Sequence, residues 1–472
     1  MTAPEGWKPM RSLSVADAGW LLIEGRERPM HVGGLMLFDP PDGADRSYLQ
    51  ELVAHVREHT DVRPPFNRRL ARPYGMAGVY QWTEDEPELD YHFRHLALPE
   101  PGRIRELLVL ISNLHANLLD RHRPLWEVYL IEGIEDGRFA MYSKVHHSVL
   151  DGVAAMKQVL KSFSDDPDVR GTPPPWAIPR QAASGDGDGQ ATTDRDPMQQ
   201  ARRILKTVAQ GVTSPIGLTK ALVPQFATSP FDPAEVSPFQ APDSMLNQKL
   251  TASRRFVAQR YEFERISEIK NAFGVTINDV VLAMCSGALR RYLAAHDELP
   301  KEPLIALVPV SFRDQAGGES GNAITLAPAT LATNLDDPQD RLELIHESMN
   351  RVKARLGKLT PTELLEYGLL MTLPLTLSQL TGLGGRVPPT FNLVISNVPG
   401  PDQPLYWNGS QMTGMYPLSL LPDGYAINIT NASYAGWMNF GITADRRALP
   451  GVQRLIDHLE EALTELEQAA GI

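Results

Sequence analysis

Between Asp165 and Pro197 the chain reads DDPDVRGTPPPWAIPRQAASGDGDGQATTDRDP, a run of Pro, Gly, Asp and Ser with little to bury. Such a composition cannot offset the entropy of ordering, so it reads as a linker that divides the regions on either side. At 472 residues the chain is also past the size at which a single core usually stops growing. The expected organisation is an N-terminal domain over 1–164, a linker and connecting helix over 165–243, and a C-terminal domain over 244–472. Hydrophobic residues at 42% leave each half enough material for a core.

Both halves mix strand and helix patterns. FAMYSKV alternates Phe139, Met141, Ser143 and Val145 against Ala140, Tyr142 and Lys144, the period of two that a strand requires. IRELLVLISNLHANLLD, from Ile104 to Asp120, carries a helical apolar stripe, and GVAAMKQVLKSF is helix-forming. In the second half, Thr276 and Asp279 have capping-box spacing at the start of a mostly apolar helix. PLIALVPVSF, TFNLVISNV and YAINITNASY read as buried strands, and VQRLIDHLEEALTELEQAA is an amphipathic helix. The fold class is α/β.

A net charge of -12 argues against a protein that grips nucleic-acid backbones. The single cysteine, Cys285, lies in the apolar run VVLAMCSGAL and is expected to be buried, leaving no disulfide framework or thiolate metal site. No secretory pattern opens the sequence, so a cytoplasmic location is expected. Two segments raise the question of lipid contact. Tyr367 to Gly385 has no formal charge over about the length of a span. Its Pro374 suggests two short buried helices, while its apolar content also suits a tunnel wall or a face resting on a membrane. MQQARRILKTVAQGV sets Arg202, Arg203 and Lys206 beside Ile204, Leu205 and Val208, a solvated strap or a membrane-surface helix.

The chemistry-bearing stretch is KVHHSVLDGVAAM, Lys144 to Met156, at the predicted junction of a strand, a tight turn and a helix start. No G-x-S-x-G elbow and no phosphate-binding loop is present. A catalytic zinc would need a third protein ligand beyond His147 and Asp151, so no metal is expected. General base catalysis remains: an imidazole accepts a proton at neutral pH, and an attacking alcohol must lose one. In this reading His147 takes the proton and His146 fixes its neighbour through a structural hydrogen bond. Asp151 holds the turn by pairing with an arginine, and Gly152 leaves room for a tight backbone turn.

HHSVLDG resembles the HHxxxDG motif of the CoA-dependent acyltransferase superfamily, and its surroundings resemble one branch, the bacterial wax ester synthase/diacylglycerol acyltransferases. LSVADAGWLLIE with PMHVGGLMLFD looks like that family's opening, and RPLWEVYLIEG like its PLW block. TINDVVLA resembles its Asn-Asp motif, VPVSFR and GNAITLAPATL its mid-domain strands, and ISNVPGP its NVPGP motif. The resemblance implies two chloramphenicol-acetyltransferase-like domains, each a mixed sheet flanked by helices, with an active-site tunnel at their interface. It implies acyl transfer from acyl-CoA to a long-chain alcohol, to diacylglycerol, or to both. His147 is then the general base, with His146 and Asp151 as motif partners and acyl-CoA as a substrate rather than a cofactor. Asn278 and Asp279 are open between helix capping and a site role. Ser396 and Asn397 are open between an ordinary turn, with Pro399 and Gly400, and contact with the thioester. Arg313, at the end of a predicted buried strand, is the candidate partner for Asp151. The peripheral surface of the inner membrane or of lipid inclusions is a further expected partner. A carrier-protein-dependent condensation-type enzyme and a non-catalytic lipid-binding or inclusion-coat protein are the alternatives. Arg254, Arg255, Arg290 and Arg291 are basic candidates for CoA phosphates, with solvated surface positions the preferred reading.

Overall fold

The computed structural model describes residues 11–45, 47–71, 80–179, 232–236, 240–311 and 324–472. In chain order the first half forms β1 (Arg11–Ser12), α1 (Val15–Ile23), β2 (His31–Asp39), α2 (Ser47–Glu58), β3 (Arg68–Ala71), β4 (Gln81–Glu84), α3 (Leu89–His92), β5 (Phe93–Ala97), α4 (Ile104–Ala116), β6 (Trp126–Glu132), β7 (Phe139–His146) and α5 (Gly152–Leu160). There follow β8 (Arg254–Glu262), α6 (Phe263–Phe273), α7 (Ile277–Ala294), β9 (Ile305–Ser311), β10 (Ile324–Thr330), α8 (Pro338–Leu356), α9 (Pro361–Thr381) and β11 (Leu393–Val398). The chain closes with β12 (Tyr406–Trp407), β13 (Ser410–Leu418), β14 (Ile427–Tyr434), β15 (Trp437–Asp445) and α10 (Leu455–Ala470).

Two compact units result, and their boundaries differ from the expected cuts at 164 and 243. The first unit takes the described residues up to 179 and also residues 400–420; the second takes those from 232 to 399 and from 421 to 472. Residues 165–179 belong to the first unit because they supply core. Trp176 is buried, its ring stacks on Trp126 at 5.3 Å, and its indole N–H donates to the His59 carbonyl at 3.1 Å. The Gln158 amide donates to the carbonyls of Pro175 and Ile178, both at 3.0 Å.

The main sheet of the first unit has the order β12-β13-β2-β7-β6-β5, antiparallel except for the parallel pair β5 and β6. Strand β7 lies at its centre and is buried on both faces. The face carrying Tyr142, Lys144 and His146 is fully covered, although its residue types resemble a solvated side. Gly33 on β2 makes room for this face: a Cβ there would sit 2.8 Å from the Ser143 carbonyl oxygen and 3.1 Å from the Tyr142 ring.

The second unit builds its sheet in the order β10-β9-β11-β14-β15-β8, with β11 parallel to both β9 and β14. Helix α7 starts with the expected capping box between Thr276 and Asp279, and Val280 through Leu289 are buried along it. Cys285 is among them, and burial pushes its thiol pKa up to about 12. The segment around Pro374 is one helix, α9, rather than two short buried ones. A capping box at Thr360 and Glu363 starts it and left-handed Gly382 ends it. Proline deletes one backbone hydrogen bond, and the caps at both ends keep the remaining turns in one helix. Leu377 and Leu380 on this helix face outward. Among the described residues no single helix is long and apolar enough to cross a membrane. The basic segment 198–212 lies outside the described residues.

This topology has a direct consequence. A fragment comprising 1–243 lacks β12 and β13, which cover the edge of β2. It should be expressed as an aggregated or protease-sensitive chain by size exclusion and limited proteolysis, and a soluble, resistant monomer would contradict the assignment of 400–420 to the first unit.

Candidate active site

The motif sits where β7 ends. His31 of β2 lies opposite His146 in register. The His146 N–H donates to the Leu125 carbonyl and the His147 N–H to the Met30 carbonyl, each at 2.9 Å. The N–H groups of Val149 and Leu150 then return to the His146 carbonyl at 2.9 and 3.3 Å, closing the turn. Asp151 is the N-cap of α5 and accepts from the Ala154 N–H at 2.8 Å. His146, His147, Asp151 and Gly152 are thus brought together as one strand, turn and helix start.

His146 is completely buried, hydrogen-bonded at Nδ1 and facing a carboxylate at Nε2. Its Nδ1 accepts the Ser148 main-chain N–H at 3.1 Å and lies 2.7 Å from the Ser148 hydroxyl. The proton therefore resides on Nε2, which lies 3.3 Å from Glu24 Oε1. Burial alone would raise the pKa of Glu24, but its interactions with His146, the Met30 N–H and Arg121 outweigh it and hold the carboxyl below its usual value. Arg121 reaches Glu24 Oε2 from Nη2 at 2.9 Å and from Nε at 3.1 Å, and the Met30 N–H reaches Oε1 at 3.1 Å. Met30 thus donates to Glu24 through its N–H and accepts from His147 through its carbonyl.

His147 is partly buried, with its ring centroid 4.3 Å from that of Trp20 on α1. It opens on a cleft of about 370 Å³ whose wall includes Asp17, Trp20, Arg68, Trp82 and Asp151. Burial lowers the His147 pKa; the charge of Asp151 and a bond to its own backbone oppose the shift without cancelling it. The imidazole is accordingly neutral and able to accept a proton over more of the physiological range than an unperturbed histidine. In the same wall, burial raises the Asp17 pKa against hydrogen bonds from Ser14.

Behind the motif, the Lys144 ammonium lies 3.1 Å from the Glu127 carboxylate and donates to the carbonyls of Leu114 and Asn117, each at 3.1 Å. Tyr129 donates a further short bond to Glu127. This network locks the end of α4 to the hidden face of β7. The PLW block supplies Leu125 and Trp126 to the same packing.

Other expectations fare differently. Gly152 has no positive φ, and a Cβ there would meet open space, so the turn itself does not require glycine. Arg313 lies outside the described residues. Asn278 and Asp279 begin α7 and Ser396 and Asn397 end β11, all in the second unit. Asp279 Oδ2 accepts from the Thr276 N–H and hydroxyl and lies 2.7 Å from His346 Nδ1, a fuller capping role than the spacing alone implied. The solvated reading of the arginines fails for Arg254, while Arg290 and Arg291 are half-buried in surface ion pairs. Arg254 is buried, 3.6 Å from Asp445; Arg290 pairs with Asp336, and Arg291 with Glu461 and Glu465. Sequence reasoning also missed Trp20, Glu24, Arg121 and Ser148, which have no motif spacing because three of them are remote in the chain and meet only in the fold.

The description "Wax ester synthase/diacylglycerol acyltransferase catalytic domain" matches residues 13–281, and "WS/DGAT C-terminal domain" matches residues 320–467. The chain belongs to this family. It is 44% identical to an O-acyltransferase WSD of Acinetobacter baylyi over 97% of both chains. It is 43% identical to a probable diacylglycerol O-acyltransferase of Mycobacterium tuberculosis over 97% of this chain and 98% of that one. A wax ester synthase/diacylglycerol acyltransferase from Marinobacter aquaeolei VT8 superposes with a TM-score of 0.80 at 42% identity, covering 98% of this chain and all of that one. The first condensation domain of the CDA synthetase has a TM-score of 0.58 at 15% identity, over 98% of this chain and 96% of that one, a likeness of fold alone. The two-domain, chloramphenicol-acetyltransferase-like class follows from these matches.

Glu24 provides the sharpest test of this geometry. Glu24→Ala leaves the buried His146 Nε2–H and Arg121 without their acceptor and should cost on the order of 3 kcal/mol in denaturant unfolding. Because the folded pKa of Glu24 lies below its ordinary 4.5, its stabilisation is present above that pH and is lost as pH falls through the folded value. The stability gap between wild type and Glu24→Gln should therefore be full at neutral pH and close on acidification. A gap that widens below pH 4.5 contradicts the assignment.

Proposed function

We propose that this chain is an O-acyltransferase that moves a fatty acyl group from acyl-CoA to a long-chain alcohol, to diacylglycerol, or to both, with His147 as general base. The observation that carries the reading is a neutral-leaning imidazole on a cleft wall, against Trp20 and next in the chain to a histidine that is wholly buried. Full-length relatedness to proteins named as O-acyltransferases supports it.

An alcohol is too weak an acid to attack a thioester without losing its proton. His147 accepts that proton as the hydroxyl oxygen bonds to the thioester carbon. The carbon–sulfur bond then breaks, and the imidazolium returns the proton to the departing thiolate, leaving ester and free CoA. The transfer is written as direct. Cys285 is buried in the second unit with its thiol pKa near 12. Ser148, the hydroxyl nearest the motif, faces an Nδ1 lone pair that already receives its own main-chain N–H, so His146 is poorly disposed to activate it. No cofactor enters this scheme. Both acceptors dissolve in lipid, so the reading places the chain in the cytoplasm, touching the inner membrane or a lipid inclusion from outside.

Purified protein supplied with acyl-CoA and hexadecanol, with no carrier protein, should form ester and release CoA. His147→Ala should lower the rate by about 10²–10⁴-fold while the fold is kept. No ester from the wild type would point to a carrier-dependent enzyme, and lipid binding without turnover to a coat protein. The pH profile is a second test. With the His147 pKa lowered, the acid limb of kcat/KM should lie below the ordinary histidine value of 6.5. Asp151→Asn keeps a capping side chain but removes the charge that raises this pKa, so the limb should move to still lower pH. A limb above 6.5, or a shift upward in Asp151→Asn, contradicts the base assignment.

A further inference from the structure

The C-terminal end of α9 and the loop after it display an apolar surface that acyl transfer does not explain. Leu377, Leu380, Leu383 and Val387 are exposed by 52%, 50%, 44% and 44%. Scattered exposed leucines are ordinary, but four large apolar side chains within so short a segment form a patch. The patch is also held firmly from beneath. Gln379 is buried and grips the Asp423 backbone, donating to its carbonyl at 2.8 Å and accepting from its N–H at 2.9 Å. The loop turns back with Leu383 N–H on the Ser378 carbonyl at 3.0 Å, then Arg386 N–H on the Leu383 carbonyl at 2.9 Å. Gly384 lies against Asp423, where a Cβ would approach within 2.8 Å. The inward residues thus fix the segment while the leucines face out.

Charge narrows the choice of occupant. The chain has a net charge of -12, yet no Asp or Glu occurs between Glu366 and Asp402. The one formal charge in that interval is the exposed Arg386, and exposed Lys249 belongs to the segment packed against Gly385. A self-complementary dimer through this patch would bring two such pairs of cations together, with no Asp or Glu in 367–401 to offset them. The adjacent cavity, walled by Pro374, Leu375 and Val387 among others, is about 30 Å³, too small to admit a hydrocarbon chain. An extended partner with an apolar interior and an anionic face fits all of these features.

We propose that Leu377, Leu380, Leu383 and Val387, flanked by Arg386 and Lys249, form the surface by which this chain docks on anionic phospholipid. The leucines enter the boundary between headgroups and acyl chains, and the two cations meet lipid phosphates. The assignment gives a location to the lipid contact in the proposed function but does not depend on the acyl-transfer chemistry.

Flotation of the full chain with vesicles separates the two. With equal parts phosphatidylcholine and phosphatidylglycerol the wild type should float, and with phosphatidylcholine alone it should float less. The doubly substituted Leu377→Asp, Leu380→Asp protein should lose about tenfold or more in vesicle binding. Arg386→Glu should remove the preference for phosphatidylglycerol. All variants should keep wild-type circular dichroism and, if the wild type is active, its turnover of a water-soluble short-chain alcohol. Vesicle binding unchanged by these substitutions, or absent in the wild type, overturns the proposal. So does an oligomer in the wild type that the aspartates dissociate, which would make the patch a contact between copies. Absence of turnover in all of them, with the binding pattern as expected, would contradict the proposed reaction and leave the docking surface standing.

Discussion

The arrangement around the motif depends on one buried carboxylate. Glu24, with its side chain 3% exposed, meets Arg121, the Met30 N–H and His146 Nε2. Isolated in a protein interior, a carboxylate would be protonated or destabilising; with these partners it stays ionised and organises them. It fixes which nitrogen of His146 carries the proton, and through Met30 it also steadies the main chain of His147. The residue that faces the cleft is therefore positioned by an interaction two layers behind it.

The same logic runs along β7. Most strands that alternate apolar and polar residues place the polar side in water. Here Tyr142, Lys144 and His146 are instead covered, and each finds partners: Tyr142 with His115, Lys144 with Glu127 and two carbonyls, His146 with Ser148 and Glu24. Such a network is worth having only when satisfied, because an unpaired member would cost several kcal/mol. Its benefit is rigidity at the strand end, which fixes where the imidazole that follows is presented to the cleft. His147 stands apart as the ring left facing the cleft, against Trp20.

Much of this was legible from residue order, and the failures have physical causes. The period of two in Phe139–Val145, the apolar stripe from Ile104 and the capping spacing of Thr276 and Asp279 are local signals, and all three produced the expected elements. HHSVLDG was legible as a strand end, a tight turn and a helix start, since its geometry closes within a few residues. Glu24 and Arg121 were not, because only the pairing of β2 with β7 and the docking of α1 bring them to His146. The return of β12 and β13 to the first unit was equally hidden, since a strand's own residues give no sign of which sheet it will join. Pro374 misled because proline is a general helix breaker, whereas here a capping box at the start and a left-handed glycine at the end bound one continuous helix. Gly152 misled for the opposite reason: its φ is ordinary and the space beside it is open.

Two neighbouring imidazoles stand in different protonation frames, and imidazole nitrogen shifts report this directly. A long-range proton–nitrogen correlation spectrum of the labelled protein, recorded across pH, should show His146 with its proton on Nε2 and a bare Nδ1. It should show His147 remaining neutral at pH values where an ordinary histidine, with pKa 6.5, is already charging. A proton on His146 Nδ1, or a His147 ring charged at neutral pH, would contradict the central claim.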